Sequence, residues 1–277
     1  MSAIDASLTN RAAPAGSMRF FSLLYAPEER RDAVLALFVI EAEIRESSRS
    51  ASHDVAHTRM MWWRAEVERL VNGNPQHPAT KVLLDHTPGD RSVFSKLHEV
   101  LAAADMDLAR MTYTNQQELR AYCSRSGGAI QELIAAQLAA PDALDESTRA
   151  AANKLGVGIR LTEMLRDLRQ DAYDGNVYVP LDLLDKHDVK PEQLRAREVD
   201  PKLKETLRAF RGNAIAELDL PPRGTQTQHL RPTFVLAALH RKLLDHVAAR
   251  NYDVATQRME LGPVQKPWTA WRAARRA

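Results

Sequence analysis

The densest chemistry in this sequence lies in LTEMLRDLRQDAYDGNVYVP, residues 161–180. Asp167 and Asp171 are four residues apart, and Glu163 stands four before Asp167. On a helix that spacing sets three carboxylates in one stripe, with Cβ atoms ~5–6 Å apart. Such a stripe repels itself unless a cation sits within it. Hard oxygen donors suit Mg²⁺, which takes one or two carboxylates and completes its shell with waters and phosphate oxygens. The same spacing also describes a solvated acidic face paired with Arg160, Arg166 and Arg169. Spacing leaves both readings open.

The elements that must position this stripe read as helices. Glycine is sparse, with 11 in the chain, and alternating β-branched runs are rare. In RRDAVLALFVIEAEIRE the positions Val34, Leu37, Phe38, Glu41 and Ile44 follow a three-then-four rhythm, with Pro27, Glu28 and Glu29 as the helix entry. A second helix over about 54–71 stops at the breaker NGNPQHP. Further helices are predicted near 78–86, 90–107, 115–139 and 145–173. The pair Gly127-Gly128 costs its helix roughly 1 kcal/mol per glycine, which predicts a kink or a close contact there. After Tyr173, the residues Gly175, Pro180 and Pro191 predict a turn, a short extended piece and a short helix. Helices over about 201–218 and 231–249 flank PPRGTQTQ (221–228), read as a loop. The expectation is an all-α, single-domain helical bundle over 18–277, preceded by a flexible leader at 1–17.

Composition narrows the function. In 277 residues, 38 Lys+Arg oppose 36 Asp+Glu, a net charge of +2. That balance argues against a dedicated nucleic-acid binder. A hydrophobic share of 44% beside 27% charged residues supports a packed core rather than disorder. Cys123 is alone, so it makes no internal disulfide and suggests no zinc site. No apolar run reaches the ~18 residues of a membrane span, and MSAIDASLTNRAAPAGS does not read as a secretory signal. A cytoplasmic protein is expected, with contact to the inner membrane face as an option. The basic tail WRAARRA would contribute about 1 kcal/mol per arginine near anionic lipid. His53 and His57 lack the glutamate of a metalloprotease motif. Trp62 and Trp63 are adjacent and cannot share a helix face, so one is expected in the core and the other at a groove or partner surface.

RDLRQDAYDGNVYVP resembles the second aspartate-rich motif of the squalene/phytoene synthase family: R-D-x-x-x-D, then glycine, tyrosine and proline, here Arg166, Asp167, Asp171, Gly175, Tyr178 and Pro180. RFFSLLYAPEERRDAVLALF, RMMWWRAEVERL, DMDLAR with ELRAYCSRSGG, LHRKLLDHVAARNYDV and QKPWTAWRA are similar to successive family segments, in family order. The resemblance implies the isoprenoid synthase fold with a central cavity, an apolar tunnel, Mg²⁺ and head-to-head transfer between two allylic prenyl diphosphates. It implies Asp167, Asp171 and Glu163 as metal ligands and Asp167, Asp171 and Tyr122 as catalytic. It implies Arg166 and Tyr178 as substrate contacts; Arg45, Arg49, Glu46 and Phe38, which occupy the region expected to hold the first motif, are further candidate substrate contacts. Tyr122 has a structural alternative, a core residue with its hydroxyl satisfied.

The first motif departs from the family. D-D-x-x-D is expected after LFVIEAEI, where this chain reads Arg45, Glu46, Ser47, Ser48, Arg49. Phe38 and Ala42 hold the preceding tyrosine and arginine positions. Arg160 and Glu163 hold a glutamine and an asparagine position, and His240 that of a cavity tyrosine. A guanidinium cannot ligate Mg²⁺. Three arrangements follow for Arg45 and Arg49: pairing with the second motif to close the cluster, direct binding of diphosphate beside fewer Mg²⁺ ions or none, or a solvated edge paired with Glu41 or Glu46. AEIRE followed by RMMWWR is similar to a divergent branch that includes the phytoene-synthase-like assembly factor of respiratory complex I. For that branch, binding to a protein, a lipid or the membrane face replaces catalysis.

Overall fold

In the computed structural model, which describes residues 4–276 apart from 51, 88, 140–143, 220–226, 255 and 257, the chain is helical, with no strand among the described residues. Two short helices, α1 (Ala6–Ala12) and α2 (Met18–Leu23), precede the long α3 (Arg31–Ser48). Asp5 caps α1 by accepting from the Ser7 amide, and Ser17 caps α2 by accepting from the Phe20 amide. Each cap satisfies a donor that the first helical turn leaves free. The segment read as a leader therefore carries a helix. Its α1 rests on α3, with Ile4, Ala12 and Ala13 buried. Its few small apolar residues give little periodic signal, and only the surface beneath them makes them core.

The helices α4 (His53–Val71), α5 (Pro78–Asp85), α6 (Leu97–Leu108), α7 (Gln116–Cys123) and α8 (Ala129–Leu138) follow. α3 is the first of two pillars. Every residue from 33 to 41 is buried, because α1, α4, α5, α6 and α8 surround it. The second pillar is α9 (Glu146–Arg166), buried without interruption from 155 to 165. Packed on it are α8, α12 (Pro201–Glu217) and α13 (Arg231–Ala249). α10 (Leu168–Tyr173) and α11 (Leu181–Lys186) lie between, and α14 (Gln265–Ala274) closes the chain against α13 and α2. The loop expected at 221–228 falls largely on 221–226, outside the described residues.

Two predicted helices are broken. Residues 124–128 form one wider π turn that joins α7 to α8. A Cβ on Gly127 would stand 2.5 Å from the Gly156 carbonyl oxygen of α9, and a Cβ on Gly156 would stand 2.4 Å from the Gly127 carbonyl oxygen. Only glycine at both positions lets the two backbones touch. The helix expected over 145–173 stops at Arg166, where Asp167 leaves helical geometry at φ −100°, ψ 13°. The break turns the three-carboxylate stripe into separate groups.

Candidate functional site

Arg45 in the last turn of α3 and Arg49 at its C-cap face α9 and α10. The Arg45 guanidinium donates to Glu163 at 2.9 Å, and Arg49 donates to Asp171 at 2.7 Å. Glu163 also lies 3.6 Å from Arg160 and 3.7 Å from Arg19. Glu41 joins the group, accepting from Arg19 at 2.8 Å with Arg45 at 3.5 Å. Asp167 accepts from Arg166 beside it and from Arg258 at 2.9 Å. Every carboxylate of the expected stripe thus faces at least one guanidinium. Of the three arrangements open in the sequence, the closed cluster describes this geometry, with Arg45 on Glu163 rather than on either aspartate.

The electrostatics follow the pairing. Burial pushes the Glu163 carboxyl up, but Arg45, Arg19, Arg160 and Arg166 outweigh it and hold the group well below the usual carboxylate range. For Asp167, burial is outweighed by Arg166 and Arg258, and the carboxyl is lowered. For Asp171 burial wins over Arg49, and the carboxyl is raised. Its Oδ2 is buried and finds no hydrogen-bond partner among the described residues. The first two are anions held by cations; the third is a carboxylate under strain from desolvation.

A second cluster lies deeper. Asp107 on α6 accepts from the Tyr122 hydroxyl and from the Tyr178 hydroxyl, both at 2.7 Å. Arg160, only 2% exposed, donates to the Tyr122 hydroxyl at 3.0 Å and lies over the Tyr122 and Tyr178 rings. Burial pushes the Tyr178 hydroxyl up to about 12 and raises Tyr122 well above the ordinary value. Tyr122 is buried, with its hydroxyl bonded to both Asp107 and Arg160. Sequence reading did not single out Asp107 as the acceptor joining both tyrosines. DMDLAR held that signal, but two aspartates in one helical turn do not say which one points inward.

Above the first cluster opens a cavity of about 720 Å³, within the usual range for small-molecule sites. Its walls come from α1, α2, α3, α4, α9, α13 and the segment 258–266. Arg45, Arg49, Glu46, Glu163, Arg166 and Asp167 line it; Asp171, Tyr122, Tyr178 and Phe38 do not. Glu46 pairs with Arg11 at 3.1 Å, and Phe38 lies under the Arg19 guanidinium, 4.9 Å from its ring centre. Eight arginine or lysine side chains face the cavity against four carboxylates. Cations thus outnumber carboxylates on the walls of this chamber. Arg19 and Arg258, which sequence reading missed, come from segments far from either motif, and no local spacing marks them. His240 reaches the cavity from α13. It is 2% exposed, its Nδ1 lies 2.8 Å from the Leu236 carbonyl oxygen, and burial lowers it to about 4.

Residues 13–272 match the squalene/phytoene synthase family. The chain belongs to that family. It is 28% identical over 254 residues to phytoene synthase 1, chloroplastic, of Arabidopsis thaliana, covering 88% of this chain and 60% of that protein. It is 29% identical over 209 residues to the phytoene synthase of Arthrospira platensis, covering 71% and 68%. The chain thus spans about three fifths of the length of the plant relative. Among solved structures it superposes on a dehydrosqualene synthase with a TM-score of 0.79 at 16% identity, covering 98% of this chain and 96% of that one. The squalene synthase HpnC from Alicyclobacillus acidocaldarius gives a TM-score of 0.71 at 16% identity, covering 91% and 98%. Both are similar in fold, which is the isoprenoid synthase bundle expected.

Within that family fold, the residues present do not fit the Mg²⁺ cluster that the resemblance implies. Arg45 and Arg49 present guanidinium groups at the positions where the resemblance leads one to expect aspartates, and Glu163, Asp167 and Asp171 are each paired with a guanidinium. Among the described residues no group of three or more His, Cys, Asp or Glu side chains is disposed to hold a metal ion.

Proposed function

We propose that this family member binds an isoprenoid diphosphate through its arginines, without Mg²⁺ and without joining two such molecules. The carrying observation is the pairing of Arg45 with Glu163 and of Arg49 with Asp171. It engages an oxygen of each of these two carboxylates and leaves a chamber with a surplus of cations. Guanidinium and diphosphate make short, often bidentate, charge-assisted bonds. Arg45, Arg49 and Arg166 take the diphosphate in this reading, with Glu46 holding Arg11 at the rim. Asp167, Asp171 and Glu163 orient those arginines rather than a metal, and Tyr122, Tyr178 and Phe38 form the floor. The protein acts in the cytoplasm or at the inner membrane face. A single bound lipid diphosphate suits a carrier or sensor better than a transferase.

A second reading has the same origin. If the closed cluster is structural throughout, the chain is an assembly or interaction protein like the divergent branch related to the complex I factor. Titration with farnesyl and geranylgeranyl diphosphate, with EDTA and then with Mg²⁺, separates these readings. The proposal expects binding in EDTA, little change with Mg²⁺, no C30 or C40 product, and a loss of about 10-fold or more in affinity in Arg166→Ala. A Mg²⁺-dependent product that disappears in Asp171→Ala would overturn it. No binding under any condition, with a reproducible protein partner, would favour the second reading.

A further inference from the structure

The most exposed aromatic surface among the described residues lies on α14. Val264, Trp268 and Trp271 are spaced four and three apart, so they share one face, and they are 76%, 57% and 42% exposed. The two indole rings stack with centroids 5.1 Å apart, and the Arg275 guanidinium lies 4.9 Å from the Trp271 ring centre. The opposite side of the helix is anchored: Ala270 is fully buried, and α14 packs on α13 and α2. The tryptophans are therefore held outward rather than left loose. Residues 261–277 contain no aspartate or glutamate, but three exposed arginines, Arg272, Arg275 and Arg276; Lys266, mostly buried, lies 4.0 Å from Glu260.

We propose that this face of α14 docks the protein on an anionic lipid bilayer. Tryptophan favours the headgroup level, where one edge of the ring is apolar and the other wet. A short helix with aromatic and basic residues together lies in the plane of the interface. No helix among the described residues is long and apolar enough to cross a membrane, so the contact is peripheral. Charge decides against a second copy of this chain as the occupant. A two-fold contact brings the same patch against itself, and here it would set arginines against arginines with no acid in the segment to pair them. An anionic surface supplies the missing partner. Lys266 of α14 and the preceding Met259 and Leu261 also line the basic cavity, so docking sets its wall beside the bilayer.

The test uses the full chain and vesicles free of isoprenoid diphosphates, so it stands apart from the reading of the cavity. Co-sedimentation is measured with phosphatidylcholine vesicles and with equal parts phosphatidylcholine and phosphatidylglycerol. Binding to the mixed vesicles is expected to be at least about 100-fold tighter, given about 1 kcal/mol per basic residue at such a surface. Trp268→Ala with Trp271→Ala weakens it about 10-fold or more, and Arg272→Glu with Arg275→Glu and Arg276→Glu abolishes the preference for anionic lipid. Circular dichroism remains unchanged, since these side chains are exposed. Equal binding to both vesicle types, or unchanged binding of the tryptophan variant, overturns the proposal. So does a dimer in lipid-free buffer that the tryptophan variant abolishes, which would assign the face to a second copy.

Discussion

Arg49 and Asp171 meet at 2.7 Å across 122 residues of sequence. The resemblance leads one to expect a metal-binding carboxylate at the arginine's position, and its partner is the last aspartate of RDLRQD. The pair is unequal: Asp171 is 3% exposed in its side chain and Arg49 33%. Removing the arginine leaves a buried carboxylate without its cation. Arg49→Ala is expected to cost about 2 kcal/mol at pH 7, below the usual figure for a broken buried pair because Arg49 is partly solvated. Asp171 is already raised with Arg49 present. A carboxyl whose folded value is raised adds stability at low pH and loses it as pH rises, so the variant's deficit is smaller at pH 5 than at pH 7. Urea denaturation at both pH values measures this. Arg49→Met with Asp171→Asn should recover most of the loss.

Aspartates at positions 45 and 49 are expected to invert the metal behaviour. Arg45→Asp with Arg49→Asp sets two new carboxylates opposite Glu163 and Asp171, leaving Glu163 only the more distant Arg160 and Arg19 and stripping Asp171 of its cation. The variant is expected to be less stable than the parent in EDTA and to gain several degrees in melting temperature with millimolar Mg²⁺, whereas the parent's midpoint does not move. A melting series in rising Mg²⁺ checks both halves. An equal Mg²⁺ response in parent and variant would contradict the account of the closed cluster.

His240 introduces a second pH dependence. Burial lowers it to about 4 from an ordinary 6.5. The unfolded chain therefore takes up the proton first as pH falls. The contribution of neutral His240 is complete above pH 6.5 and is lost progressively down to about pH 4. At pH 5 the loss amounts to about 2 kcal/mol. The difference in unfolding free energy between pH 7 and pH 5 should shrink by that amount in His240→Gln, read by urea denaturation of both proteins.

Two glycines give a matched contrast. Gly127→Ala drives a methyl into the Gly156 carbonyl oxygen, 2.5 Å away, and neither backbone can yield cheaply. A destabilisation of about 3 kcal/mol is expected, near the upper range for overpacking. Gly212 lies inside α12 with open space around its Cβ position. Gly212→Ala should stabilise by about 0.5–1 kcal/mol through helix propensity alone. Thermal melts of the two variants should move in opposite directions.

The all-helical character was legible in the chain because apolar residues on α3 and α13 recur with the helical period, and Pro, Gly and cap residues mark most ends. The family was legible because its segments occur in order, and Arg45 and Arg49 stood out in the sequence where the resemblance led one to expect aspartates. Tertiary structure alone decided what those arginines meet. Pairing across 118 and 122 residues depends on how α3 lies against α9 and α10, and no local spacing encodes a distance between helices. The same holds for the one-residue break at Asp167, for Arg19 and Arg258 reaching into the cavity, and for Asp107 beneath two tyrosines. Periodicity records which side of a helix is buried; the Coulomb energy of a charge depends on which other charge the fold brings within a few ångströms.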